Sequence, residues 1–237
     1  MRILILTCDK NKDLVHVFLH FYKKYWPDNP YETTILTQES FLYIKDTNVF
    51  YTGVSSWSSE FLYYLKLEKS MNEKFIFIHE DCFFTKPVDT KRVKEAENLC
   101  QGNVGCVRLN HAPKRYLTEH AIKTDIKGFR EYPTDRRFSF TSQAAIWQKK
   151  YLLEVMRPGE SCWETEKNGI ARLKEMKTDW RILWPEINII NYPPRGLIRK
   201  GILEPPALRW AKSELSEDSM EYKILEDRIQ MQREGRC

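Results

Sequence analysis

Phe75-Ile76-Phe77-Ile78-His79-Glu80-Asp81 is the stretch on which the fold turns. Four uninterrupted residues, aromatic and β-branched, predict a strand buried on both faces, as in a parallel sheet. The run stops at three ionisable groups. Working outward, Ile3-Leu4-Ile5-Leu6 is a second run of this kind and stops at Thr7-Cys8-Asp9. Between the two, apolar residues at 14, 17, 18, 21, 22 and 25 keep a helical period up to Pro27. Residues 33–37 and 48–51 read as strands, and 58–71 as a helix with Ser56 or Ser58 available as N-cap. Strand, helix, strand, strand, helix, strand is the rhythm of an α/β domain with a mostly parallel sheet. Ligands of such sheets bind beyond the carboxyl ends of the strands, so the polar groups after both runs are expected on one edge.

Beyond Asp81 the pattern predicts a helix over 89–99, a strand over 104–109, loop or short strands to 137 and a strand over 139–147. Helices follow over 149–156 and 162–176, with one or two short strands over 180–191. Pro193-Pro194 and Pro205-Pro206 punctuate a loop. Residues 213–234, charged with apolar positions at 215, 220, 224, 225 and 229, read as an exposed amphipathic helix or an oligomer contact. No repeat and no Gly/Ser linker divides the chain. A single domain over 1–237 is expected, with 1–110 as one half, 111–212 as the other and 213–237 as the C-terminal helix.

With 237 residues, 42% of them apolar and 13% aromatic, the chain can bury a sizeable core. Mean hydropathy is −0.57, and no apolar run of ~18 residues is present, so no spanning helix is expected. The N-terminus lacks the apolar length and cleavage site of a signal peptide, and a cytoplasmic location is expected. Six scattered cysteines with no C-x-x-C pair fit reduced thiols rather than a structural zinc site. The net charge of +5 is uneven: residues 1–100 carry 13 basic and 14 acidic side chains, the remaining 137 carry 25 and 19. The excess gathers in 108–137 and 193–212, which suits an anionic ligand or a solvated basic face.

The acids Glu80 and Asp81 close a buried strand, where carboxylates need a cation or a hydrogen-bonding network. His79 and Asp81, two apart on an extended chain, point the same way. Either a divalent ion or a loop-capping acid pair satisfies this pattern. A second acidic cluster, Trp163-Glu164-Thr165-Glu166, reads as a cleft carboxylate or as an ordinary acidic first helical turn. His16 and His20 lack the Glu of a metalloprotease helix, since Val17 stands there. G-x-x-x-x-G-K-[ST], G-x-G-x-x-G and G-x-S-x-G are all absent, which disfavours P-loop NTPases, simple dinucleotide-binding oxidoreductases and α/β-hydrolases.

Four segments in order, Ser56-Trp57-Ser58-Ser59-Glu60, Phe75 to Asp89, Ser142-Gln143-Ala144-Ala145-Ile146-Trp147-Gln148-Lys149 and Gly159-Glu160-Ser161-Cys162-Trp163-Glu164-Thr165-Glu166, resemble those of bacterial and phage glycosyltransferase-like proteins with the GT-A fold. The resemblance covers roughly residues 1–200. It implies a single GT-A-like α/β domain: a mixed, mostly parallel sheet flanked by helices, here with an amphipathic C-terminal helix. It also implies a transferase using a nucleotide-sugar, a UDP-sugar by preference, with Mn²⁺ or Mg²⁺ as candidate ion. Thr7, Cys8, Asp9, Thr37, Trp57 and Glu80 become candidates for the nucleotide, with Arg195, Arg199 and Lys200 closing over its diphosphate. Asp81, with His79, matches the metal motif, although the usual Asp-x-Asp reads His79-Glu80-Asp81 here. Glu166, with Glu164 second, matches the acid that deprotonates the acceptor in inverting members. Three readings follow: transfer to a glycan; transfer to hydroxymethylated DNA bases, for which the basic stretch interleaved with Tyr116, Phe129, Tyr132 and Phe138 would form the groove; and an inactive glycan- or nucleic-acid-binding module.

Overall fold

The computed structural model describes residues 1–39, 41–67, 73–111, 114–176, 179–193, 196–199 and 201–235. Its first half follows the sequence reading: β1 (Arg2–Leu6), α1 (Leu14–Tyr25), β2 (Glu32–Thr37), β3 (Asn48–Tyr51), α2 (Trp57–Leu67) and β4 (Lys74–His79). β1 lies parallel between β2 and β4, and β3 extends the same sheet beyond β2. The two apolar runs alternate strictly across the sheet. Ile3, Ile5, Ile76 and Ile78 pack with α1, while Leu4, Leu6, Phe75 and Phe77 pack with α2. Burial on both faces is therefore the physical cause of the unbroken apolar pattern.

The second half adds α3 (Thr90–Leu99), β5 (Val104–Arg108), α4 (Lys114–Glu119), β6 (Ile122–Lys123), β7 (Phe129–Tyr132), β8 (Ala145–Gln148), α5 (Lys149–Val155), α6 (Cys162–Met176) and β9 (Arg181–Pro185). Among the described residues the sheet has nine strands in the order β3-β2-β1-β4-β8-β5-β9-β7-β6. β8 runs antiparallel to β4 and β5, and β7 antiparallel to β9 and β6, so seven of the nine strands share one direction. A small hairpin, β10 (Ile198–Arg199) with β11 (Ile202–Leu203), precedes α7 (Pro205–Ser213) and α8 (Met220–Arg233).

Four sequence expectations change. The stretch to 137, expected as loop or short strands, also holds the helix α4. Of the stretch 139–147 only 145–147 is strand, continuing to Gln148, because the chain enters it through Phe138 at φ 72° and bends over 139–144. Pro205-Pro206 opens a helix rather than a loop, since proline at the first helical positions gives up no hydrogen bond. The C-terminal helix starts at 220, capped by Ser219, and is not a free exposed element. It packs on α1 of its own chain: Leu225 is fully buried, and the Arg228 guanidinium donates to Asp13, Asn11 and the Lys10 carbonyl. No helix among the described residues is long and apolar enough to cross a membrane.

Candidate functional site

Between β1 and β4 the order of strands reverses. The chain leaves β1 for β2 on one side and returns through α2 to β4 on the other. This is the switch point at which α/β sheets leave a crevice beyond their carboxyl ends. A cleft of ≈ 350 Å³ opens there. Thr7, Cys8, Trp57, His79, Glu80 and Asp81, singled out from sequence, all line it.

The acid pair lies at the centre, Glu80 buried and Asp81 half-buried. Glu80 is held by its backbone N–H to the Leu6 carbonyl (3.3 Å), which carries the register of β1 and β4 one residue past the sheet. Burial, then the neighbouring Asp81 charge, pushes the Glu80 carboxyl well above its usual range; Asn11 and Arg228 oppose that rise. Burial raises Asp81 to about 6, against hydrogen bonds from the Ile198 N–H (3.4 Å) and the Cys82 thiol (3.6 Å). Gly196 explains how close the following loop comes. At φ +70°, a Cβ there would stand 2.3 Å from Asp81 Oδ2, so only glycine fits.

His79 does not join the acids. Its ring stacks on Trp57 (5.9 Å between centroids, 24° between planes), its Nε2 lies 3.9 Å from Cys162 Sγ, and burial lowers it to about 4. It is a neutral wall of the cleft. Burial likewise pushes Cys8 up to about 11 and Cys162 to about 12, so both stay protonated thiols. Among the described residues no three His, Cys, Asp or Glu side chains are grouped to hold a metal ion. The donor set that does fit a hard cation is the carboxylate pair alone, which would need ligand oxygens to complete it.

The other described candidates, Asp9, Thr37, Arg199, Glu164 and Glu166, are not among the side chains that line the cleft. The Asp9 carboxylate accepts the Glu39 N–H (3.2 Å), tying the loops after β1 and β2 together. Thr37 ends β2, buried, with its backbone carbonyl engaged by Thr52. Arg199 is exposed and pairs with Glu204 (3.7 Å). Arg195 and Lys200 lie outside the described residues. Glu164 closes a capping box with Ser161: its carboxylate accepts the Ser161 N–H (2.8 Å), and Ser161 Oγ accepts the Glu164 N–H (3.3 Å). Glu166 reaches inward from the same helix and accepts from Thr141 Oγ1, the Ser142 N–H and Ser142 Oγ at 3.1, 2.6 and 2.8 Å, all on Oε1. It stands directly behind Ser142, which lines the cleft.

Sequence reasoning missed Lys10, Asn11, Gln38, Glu60, Gln143 and Gly196, all of which line the cleft. Glu60 carries the one signal that could have been read: an acid on the face of α2 that also presents Trp57, Phe61 and Tyr64, at helical spacing. The basic, aromatic stretch 108–137 is not a stacking platform as a whole. Phe129 and Tyr132 are buried, and Tyr132 stacks on Trp184 at 3.7 Å.

No protein-family model matches the sequence, and no curated protein matches it. Solved structures do resemble the fold. The CMP:2-keto-3-deoxy-manno-octonic acid synthetase complexed with CTP aligns with a TM-score of 0.56 at 12% identity, over 92% of this chain and 99% of that one. S. aureus TarS 1–349 in complex with UDP aligns with a TM-score of 0.54 at 14% identity, over 98% of this chain and 71% of that one. TarS 1–349 in a second structure gives 0.51 at 13% identity, over 94% and 68%. At these identities the likeness establishes the fold: the chain has the GT-A-like α/β architecture that its motifs suggest.

Proposed function

We propose that the chain is a nucleotide-sugar-dependent glycosyltransferase, taking a UDP-sugar and inverting at the sugar carbon as it passes the sugar to an acceptor hydroxyl. One observation carries this reading: a nucleotide-sized cleft at the switch point of the sheet, with the acid pair Glu80 and Asp81, both raised by burial, at its centre. Thr7, Cys8 and Trp57 form the donor side. Lys10 in the cleft, with Arg199 and the basic residues Arg195 and Lys200 of the same sequence segment, meets the diphosphate charge. Asp81, beside Glu80, would hold a divalent ion completed by diphosphate oxygens, and such an ion would stabilise the charge growing on the leaving group. His79 serves as packing for Trp57 rather than as a ligand. On the acceptor side, Glu166 takes the hydroxyl proton on Oε2, since its fixed hydrogen bonds all fall on Oε1.

A glycan acceptor is favoured over DNA. Trp163 is 71% exposed and lines the cleft mouth, where its face suits a sugar ring, whereas the aromatics of 108–137 are partly spent in the core. Thermal shift with nucleoside diphosphates and their sugar conjugates, with and without Mn²⁺, tests the proposal. Binding to the native state alone raises the melting temperature by mass action. UDP and a UDP-sugar should raise it. No shift with any nucleotide would overturn the reading.

A further inference from the structure

Glu60 has no part in the mechanism above, yet it is the most anomalous side chain in the cleft. It is 1% exposed, sits in the cleft wall, and among the described residues its Oε1 has no hydrogen-bond partner. Trp57, one turn earlier on α2, is the same: its indole N–H is buried and has no acceptor among the described residues. Residues three apart on a helix share a face, and both of these line the cleft. Buried polar atoms left without partners are costly and rare, and two of them on one helix face at the wall of a cleft point to a ligand that supplies what is missing.

The chemistry of that ligand follows from what each atom can do. The indole N–H only donates. Burial, reinforced by the Asp9 charge, pushes Glu60 up to about 8, so it is a neutral acid at pH 7. Gln38 opposes that rise, and its amide N–H donates to the Ser55 carbonyl (3.2 Å). A neutral carboxyl has one O–H to donate, and the unpartnered Oε1 is where a ligand would meet it. The wall therefore offers two donors to something that brings an acceptor.

We propose that Glu60 and Trp57 together read a carbonyl group on the nucleobase of the donor. This rests on the nucleotide-sugar reading given above. It places the base against α2, leaving the Asp81 side of the cleft to the diphosphate. A base without a carbonyl, such as adenine, leaves both donors unmet and is disfavoured.

Calorimetric titration of the full chain with UDP, ADP and inorganic pyrophosphate tests the inference. Wild-type protein should prefer UDP to ADP by about tenfold or more. Glu60→Leu should bring the two within about threefold through lost UDP affinity, with ADP and pyrophosphate unchanged, and should melt at a higher temperature because the orphan acid is gone. Trp57→Phe keeps a ring against His79 and removes only the donor. It should also cut UDP affinity about tenfold while sparing ADP, and it stands in if Glu60→Leu fails to fold. A wild-type protein that binds UDP and ADP equally, or variants that keep the full preference, would overturn the base-reading role and leave the nucleotide reading intact. A wild-type protein that binds neither nucleotide would remove both.

Discussion

The molecule holds two acid clusters that look alike in sequence and that the fold treats in opposite ways. Glu80 and Asp81 sit in the turn that follows β4, which brings both carboxyls into the crevice beyond the sheet, and burial raises both. Glu164 and Glu166 open a helix, so two residues of spacing turn them to different sides. Glu164 faces water, and its hydrogen bonds with Ser161 hold it below the usual carboxylate range. Glu166 faces inward onto three donors. The element that carries an acid pair thus decides whether its members share one environment. Paired acids on a strand end stay together and need a counter-charge. Paired acids on a helix start divide into a cap and a buried acceptor.

The comparison breaks first at Glu166. If its Oε2 takes the acceptor proton, Glu166→Gln should lower transfer by about 10²–10⁴-fold. The amide oxygen can still accept from Ser142, so UDP affinity should stay within about twofold, read by calorimetry beside a radiolabelled-sugar transfer assay. Full transfer activity in this variant would remove Glu166 as the base. The next largest effect falls on the strand end itself. Gly196→Ala forces an L-residue to φ +70° and sets its Cβ on Asp81 Oδ2. The backbone term alone is about 1–2 kcal/mol. Urea unfolding should show at least that loss, and UDP binding should weaken with it as the loop is driven off the carboxylate.

How much of this was legible depends on whether the signal was local. β1 and β4 are written in unbroken apolar runs, and their carboxyl ends named five of the cleft residues, because burial on both faces leaves no alternative pattern. The second half is harder because its structure answers distant partners. Residues 139–144 look like strand but bend so that Ser142 meets Glu166 and the Ala144 N–H meets Tyr192. Arg228 reaches Asp13 across 215 positions, which turns a charged helix into a brace on the loop after β1. Glu60 reads as one more surface acid until Gln38 and Trp57 are seen around it. The capping box at Ser161 was in plain view as S-x-x-E, but the resemblance drew attention to its glutamate as a catalytic acid.

A third carboxyl sharpens the contrast through pH. Glu60 rises from an ordinary 4.5 to about 8 in the folded chain. The native state then holds a proton that the unfolded state has released, so stability falls as pH rises from about 4.5 and levels off above about 8. This is the reverse of a salt-bridged carboxylate, whose contribution is lost on acidification. Melting temperatures measured from pH 5 to 9 should decline across this window in the wild type. Glu60→Leu should make that decline shallower, the remaining slope belonging to Glu80 and Asp81, and an equal slope in both proteins would show that Glu60 is ionised in the fold.

The smallest effects belong to the exposed end of the helical cluster, and their smallness is the point. Ser161→Ala removes the side-chain half of the capping box at α6, worth about 1 kcal/mol, and should move the urea midpoint accordingly. Glu164→Gln keeps an acceptor for the Ser161 N–H and should leave both transfer and UDP affinity within about twofold of wild type. Because Glu164 and Glu166 differ by two positions and share one helix, a large loss of transfer in Glu164→Gln would mean that the start of α6 turns its outer face to the acceptor. The division between cap and buried acceptor would then fail. A silent Glu164 beside a disabling Glu166 would place the chemistry on the inward side of the helix, one residue layer behind the cleft wall at Ser142.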